Sequence, residues 1–289
     1  GSENVFIGSE SGGGEWQTGA SDRNTAVGWN TMKGAMNGAS HNTAVGSEAL
    51  ASITTGDNNT ALGSGAGDLL TTGASNVIIG VSAGDATVDS SNHVLIGAGA
   101  GGNGDIANDG QTGVGYLALH ALTSGIKNTA VGCQALDATD DGNQNTAVGY
   151  DALSANCGDY NTAVGTSALI ACTGNANTAV GQNALDELTS GSYNVAIGAG
   201  ALHAIDGSET ENVAIGYNAA NNADGATNNV CIGSNAILST QAGTNQIVLG
   251  KDTTGVANNS VTLGNASVTD VYMSQDSGAK VHCLDVAPT

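Results

Sequence analysis

Apolar positions in this chain recur in a five-residue phrase of polar, β-branched, small, aliphatic and glycine residues, of which Asn161-Thr162-Ala163-Val164-Gly165 is the plainest copy. The residue before the glycine is aliphatic in all sixteen copies, from Ile7 before Gly8 to Leu263 before Gly264. Two positions earlier the chain mostly places Thr (Thr25, Thr43, Thr146, Thr162) or Val (Val77, Val195, Val213). Alternation with period two and β-branched enrichment predict a short strand with these two positions on one face. On that reading Val27, Val45, Val131, Val148, Val164, Val180, Ile197 and Ile215 form the core column. The residue between, usually Ala as in Ala147, Ala163 and Ala179, then points the other way, and its small size implies close approach of another chain.

After each glycine a second short segment ends in Ala-Leu (Ala152-Leu153, Ala168-Leu169) or Ala-Gly (Ala66-Gly67, Ala83-Gly84), which is expected to be the return side of a coil. A polar link such as Asp137 to Gln144 follows, with the Gly, Asn and Asp residues of turns. From Gly8 to Gly264 there are fifteen steps averaging about 17 residues. Glycine cuts every run long enough for a helix. The predicted fold is therefore all-β, a parallel β-solenoid of about sixteen ~17-residue coils stacked at ~4.8 Å, a rod of roughly 70 Å. Residues 1–264 are the repeat array, and 265–289 read as a C-terminal connector towards a further domain or a neighbouring subunit. Because Asn4 to Gly8 is already a complete phrase, the chain reads as a piece of something longer.

Two columns follow from stacking. Glycine at each corner (Gly132, Gly149, Gly165, Gly181) is expected where the backbone takes positive φ or coils approach too closely for a Cβ. The asparagines that open the phrase (Asn128, Asn145, Asn161, Asn177) are expected to hydrogen-bond along the stack as a ladder.

Composition narrows the function. With 26 acidic against 5 basic residues, a net charge of -21, the surface repels nucleic acid and anionic lipid. No stretch approaches the ~20 apolar residues of a membrane span. Only 3% of residues are aromatic, so the core has to be thin and long. Cys133, Cys157, Cys172, Cys231 and Cys283 show no metal-ligand spacing, but Cys157 and Cys172 fall eight and seven residues after their corner glycines and are a candidate disulfide between adjacent coils. The five histidines share no column, and no catalytic residue and no metal ligand is assigned. No cofactor is expected, with loop-bound calcium as the secondary expectation, since Asp and Gly do not follow the calcium nonapeptide pattern. Trp29, Tyr116, Tyr150 and Tyr217 all follow a corner glycine and are candidate surface contacts for a cell-surface carbohydrate or receptor, or cover for a groove between chains.

Asn194-Val195-Ala196-Ile197-Gly198, Asn212-Val213-Ala214-Ile215-Gly216 and Asn259-Ser260-Val261-Thr262-Leu263-Gly264 resemble the head repeats of trimeric autotransporter adhesins, the YadA-like head. The Asn-Thr-Ala-Val-Gly version followed by Ala-Leu is similar to repeats in bacteriophage tail fibres. The resemblance runs from Asn4 to about Met273, although the adhesin heads use shorter units. It implies a left-handed β-roll in which three chains pack side by side. The function it implies is a structural fibre shaft, in a virion tail fibre or at the cell surface, that acts as a rigid spacer for attachment. A self-assembling extracellular filament subunit that associates end to end is the alternative, and an enzyme is not expected.

Overall fold

The structure is a computed structural model that describes residues 2–14, 19–102, 106 and 110–271. Among the described residues sixteen strands, β1 (Val5–Ile7) to β16 (Ser260–Leu263), form one sheet in which every strand pairs with its neighbours in sequence. All pairs are parallel. The phrase sets the register: Thr162 pairs with Thr178, Ala163 with Ala179 and Val164 with Val180. Most strands are three residues long, and β15 (Gln246–Leu249) and β16 have four. Each strand is one wall of a coil of about 17 residues, as the spacing predicts. Among the described residues there is no helix.

Hydrogen bonds between coils continue beyond the strands. Ser167 N–H donates back to Tyr150 O (2.9 Å), while Leu169 N–H donates forward to Ala184 O (3.0 Å). The chain manages this by alternating the sign of φ along the return segment. Gly165 (φ 140°), Ser167 (55°) and Leu169 (53°) are all positive, and Leu136, Leu153 and Leu185 repeat the conformation at 51 to 55°. A left-handed leucine costs about 1–2 kcal/mol. It persists here because the same residue is fully buried and its N–H is paired with the next coil.

The direction of the strand faces corrects the sequence reading. Ala147, Ala163, Ala179, Ala196 and Ala214 are 0% exposed and line the interior, whereas the expected core column points outward. Val131, Val148, Val164, Val180, Ile197 and Ile215 are 36 to 40% exposed, and Val27 and Val45 are half-buried. The reason is the width of the coil. Facing each strand alanine is the return segment, whose Ala168 and Leu169 are also buried, with Cys172 on the third side. An interior that already holds a leucine from one wall has room for only a methyl from the other.

Candidate functional site

The surface is built by the same repetition. At the corner between strand and return segment, Gly132, Gly149, Gly165 and Gly181 take φ of 139 to 144°. A Cβ on Gly165 would lie 2.5 Å from the carbonyl oxygen of Gly181 one coil on, so both reasons for glycine apply at once.

At the other end of the strand the asparagines form a buried column. Asn161 N–H donates to Asn145 Oδ1 (2.8 Å), Asn177 N–H donates to Asn161 Oδ1 (3.0 Å), and Asn145 N–H donates to Asn128 Oδ1 (2.9 Å). Each Nδ2 then donates to a loop carbonyl of the next coil, as from Asn161 to Gly174 (2.9 Å). Direct amide-to-amide bonds join most neighbours as well, such as Asn76 Nδ2 to Asn59 Oδ1 at 3.0 Å and Asn177 Nδ2 to Asn161 Oδ1 at 3.3 Å. Three residues that break the asparagine pattern keep the column running. His93 N–H donates to Asn76 Oδ1 (2.9 Å) and Gln111 N–H to His93 Nδ1 (3.2 Å). Asn128 N–H donates to Gln111 Oε1 (2.9 Å), and Gln246 N–H to Asn229 Oδ1 (2.9 Å). His93 and Gln111 stand immediately before a strand and Gln246 opens one, and that place in the register was the signal available in the sequence.

Cys157 and Cys172 are both buried in the third interior wall, but they are free thiols, which corrects the expected bridge. Each sulfur is engaged elsewhere: Cys157 Sγ lies 3.2 Å from Thr139 Oγ1 of the preceding coil, and Asn177 Nδ2 donates to Cys172 Sγ at 3.5 Å. Burial pushes the two thiols up to about 12 and about 11, and Cys231, an interior strand residue, up to about 12. Such thiols are poor nucleophiles. Cys133 is also free, and Cys283 lies outside the described residues, as does most of the expected connector.

Trp29, Tyr116, Tyr150 and Tyr217 are 51 to 59% exposed on one row. No two occupy adjacent coils, although Tyr116 and Tyr150 are separated by the Cys133 coil alone, and the row between them holds Ser, Val, Ala, Cys, Thr and Gln, so they do not form a continuous stripe. Two further exposed aromatics, Tyr160 and Tyr193, stand directly before the ladder residues Asn161 and Asn194.

Among titratable groups, Asp68, Asp85 and Asp137 hold their protons more tightly than usual because burial disfavours the charge, and Asp85 adds to the effect on Asp68. Asp206, Glu209 and Asp224 place carboxylate oxygens within 4.8 Å of one another, and repulsion from Asp206 raises Asp224. Both Glu209 oxygens accept from backbone N–H groups, those of Gly207 and Gly225, each at 2.9 Å. His203 Nδ1 pairs with Asp186 Oδ1 at 2.5 Å, which raises the histidine. Among the described residues no helix is long and apolar enough to cross a membrane.

The outward strand face is the largest continuous feature. Its valines and isoleucines, flanked by Thr146, Thr162 and Thr178, run without a charged residue from β8 (Thr129–Val131) to β14 (Val230–Ile232), about 30 Å at the usual strand spacing. No protein-family model and no curated protein matches the chain.

Proposed function

We propose that this chain is the shaft of a structural fibre, in which three copies pack side by side through their outward strand faces and hold a recognition element away from its base. The observation that carries the reading is the apolar row from Val131 to Ile232, each member 36 to 40% exposed on a chain that is otherwise strongly acidic. Contiguous apolar patches beyond a few hundred Å² on a soluble surface mark contacts with other molecules. A self-complementary row repeated along a rod suits a second and third copy of the same rod. The resemblance of the repeat to trimeric adhesin heads and tail-fibre repeats supports three copies, a left hand and a setting on a virion tail or a cell surface.

Sedimentation and light scattering at micromolar concentration test this. A trimer is expected. Val148→Asp combined with Ile197→Asp should give a monomer that keeps the far-ultraviolet spectrum of the parent. A monomeric parent chain would overturn the proposal, and open-ended growth would replace it with the end-to-end filament.

A further inference from the structure

The coil that begins at Gly198 lacks surface bulk at two consecutive positions, Ala199 and Gly200. Its neighbours carry Gln182-Asn183 on one side and Tyr217-Asn218 on the other. The result is an open notch with a volume of about 220 Å³, lined also by His203. The imidazole is fixed by its 2.5 Å pairing with Asp186, whose carboxylate is largely covered. Tyr217 lines the notch and is 59% exposed. Asn218 Oδ1 overhangs Gly200, where a Cβ would collide with it. Among the described residues no intramolecular hydrogen bond engages the side-chain amides of Gln182, Asn183 or Asn218.

We propose that this notch binds a single uncharged hexopyranose ring, with its C–H face laid on Tyr217 and its neighbouring hydroxyls paired with the amides of Gln182, Asn183 and Asn218. An amide offers donor and acceptor together, which matches a pair of adjacent hydroxyls. The volume is below the roughly 300–1,000 Å³ of a pocket for a drug-sized ligand, so it suits one ring. Neutrality follows from the chain's net charge of -21, which disfavours acidic sugars.

A second notch on the same rod supplies the control. Ala98-Gly99 is also a small pair one coil before a tyrosine, Tyr116, but its walls are Val81-Ser82 and Leu117. A Cβ on Gly99 would lie 2.7 Å from Leu117 Cδ2, so an apolar side chain stands over Gly99 where Asn218 stands over Gly200. The two sites share an aromatic and a gap and differ in the amides.

The inference adds to the shaft reading without depending on it, and its test reads separately. Saturation-transfer NMR on the intact chain would use the methyl pyranosides of glucose, galactose, mannose and N-acetylglucosamine, with N-acetylneuraminic acid as the anionic probe. Transfer to at least one neutral sugar is expected, in the millimolar range proper to so small a ligand. Tyr217→Ala, which removes the aromatic anchor, and Gly200→Asn, which fills the gap, should each weaken transfer at least about fivefold, and Tyr116→Ala should leave it unchanged. All three positions are at the surface, and circular dichroism checks that the variants fold. The proposal is overturned if no neutral sugar shows transfer, if Tyr217→Ala binds as the parent does, or if the anionic sugar is preferred. It is equally overturned if Tyr217→Ala changes the sedimentation of the chain, since that assigns the tyrosine to a contact between copies.

Discussion

The coils around Ile78 and Leu95 fill their interior in the opposite way from the coils between Ala130 and Leu202. In the longer region the strand gives alanine and the return segment gives leucine, as in Ala147 with Leu153 or Ala163 with Leu169, all fully buried. In the shorter region the return segment gives Gly67, Gly84 and Gly101, and the strand wall gives Ile78 and Leu95. A Cβ on Gly67 would lie 3.0 Å from Ile78 Cδ1, and one on Gly84 3.0 Å from Leu95 Cδ1, so the strand residues occupy the volume that leucine fills elsewhere. Where the arrangements meet, Gly113 faces Leu119 and Leu95, and its own side chain is the one dispensed with. The backbone path stays the same, because Gly67, Gly84 and Gly101 keep the left-handed φ of 53 to 60° that leucine holds at 49 to 57° in other coils. What the coil specifies is a total interior volume, and the two walls divide it.

The strongest way to break this comparison is to place charge on the inward wall. Ala147→Asp buries a carboxylate with no partner and should abolish cooperative folding in circular dichroism, while Val148→Asp, one residue along and outward, should leave the secondary structure in place. The swap of walls has its own test. Ile78→Ala should cost about 2–5 kcal/mol in chemical denaturation. Adding Gly67→Leu should recover part of the loss, with a coupling on the order of 0.5–3 kcal/mol between the two positions. Strict additivity would mean that the two walls do not share a volume. A smaller effect is expected at the ladder, which runs through both regions. Asn161→Ala leaves the buried N–H of Asn177 and the carbonyl of Gly174 without their partners and should cost about 1–3 kcal/mol.

The smallest effect is the response to acid, and it separates the regions again. Asp68 and Asp85 directly follow Gly67 and Gly84, and Asp137 follows Leu136. All three have raised values from burial, so the folded chain holds their protons more tightly than the unfolded chain does. Stability should therefore rise as pH falls from neutral through those raised values towards the ordinary 3.8, and level off below it. His203 acts in the same direction. Its raised value contributes stability that is fully present below 6.5 and lost as pH rises through the folded value. Asp22 and Asp252 are lowered, by the hydrogen bonds from Ser2 and Asn235, but both reach solvent and oppose the trend weakly. A melting temperature higher at about pH 5 than at about pH 7.5 is expected. Asp85→Asn should remove part of that difference.

Much of this architecture is legible in the residues. The corner glycine, the three-residue strand and the coil length all follow from one repeated phrase, since a parallel stack brings identical positions into contact in every coil. The ladder was legible where asparagine recurs and obscured at His93 and Gln111, where a different side chain accepts from the same N–H, and at Gln246, whose own N–H donates to Asn229. The left-handed leucines were not legible, because that conformation is unfavourable for leucine in isolation and only the packed coil holds it there. For the candidate sites, residue type marked the exposed aromatics. The notch beside Tyr217 depends instead on small residues in one coil lying between larger ones in its neighbours, which is visible only once the coils are aligned.

By itself the sequence determined how many coils there are, which residues stack on which, and that Thr162 and Val164 share a face opposite Ala163. A period of two says which residues lie together and is silent on which side is inside. The tertiary structure decided that. Closing a coil of about 17 residues brings the return segment so near the strand that the space between those two walls admits one large side chain, and the valines are turned outward.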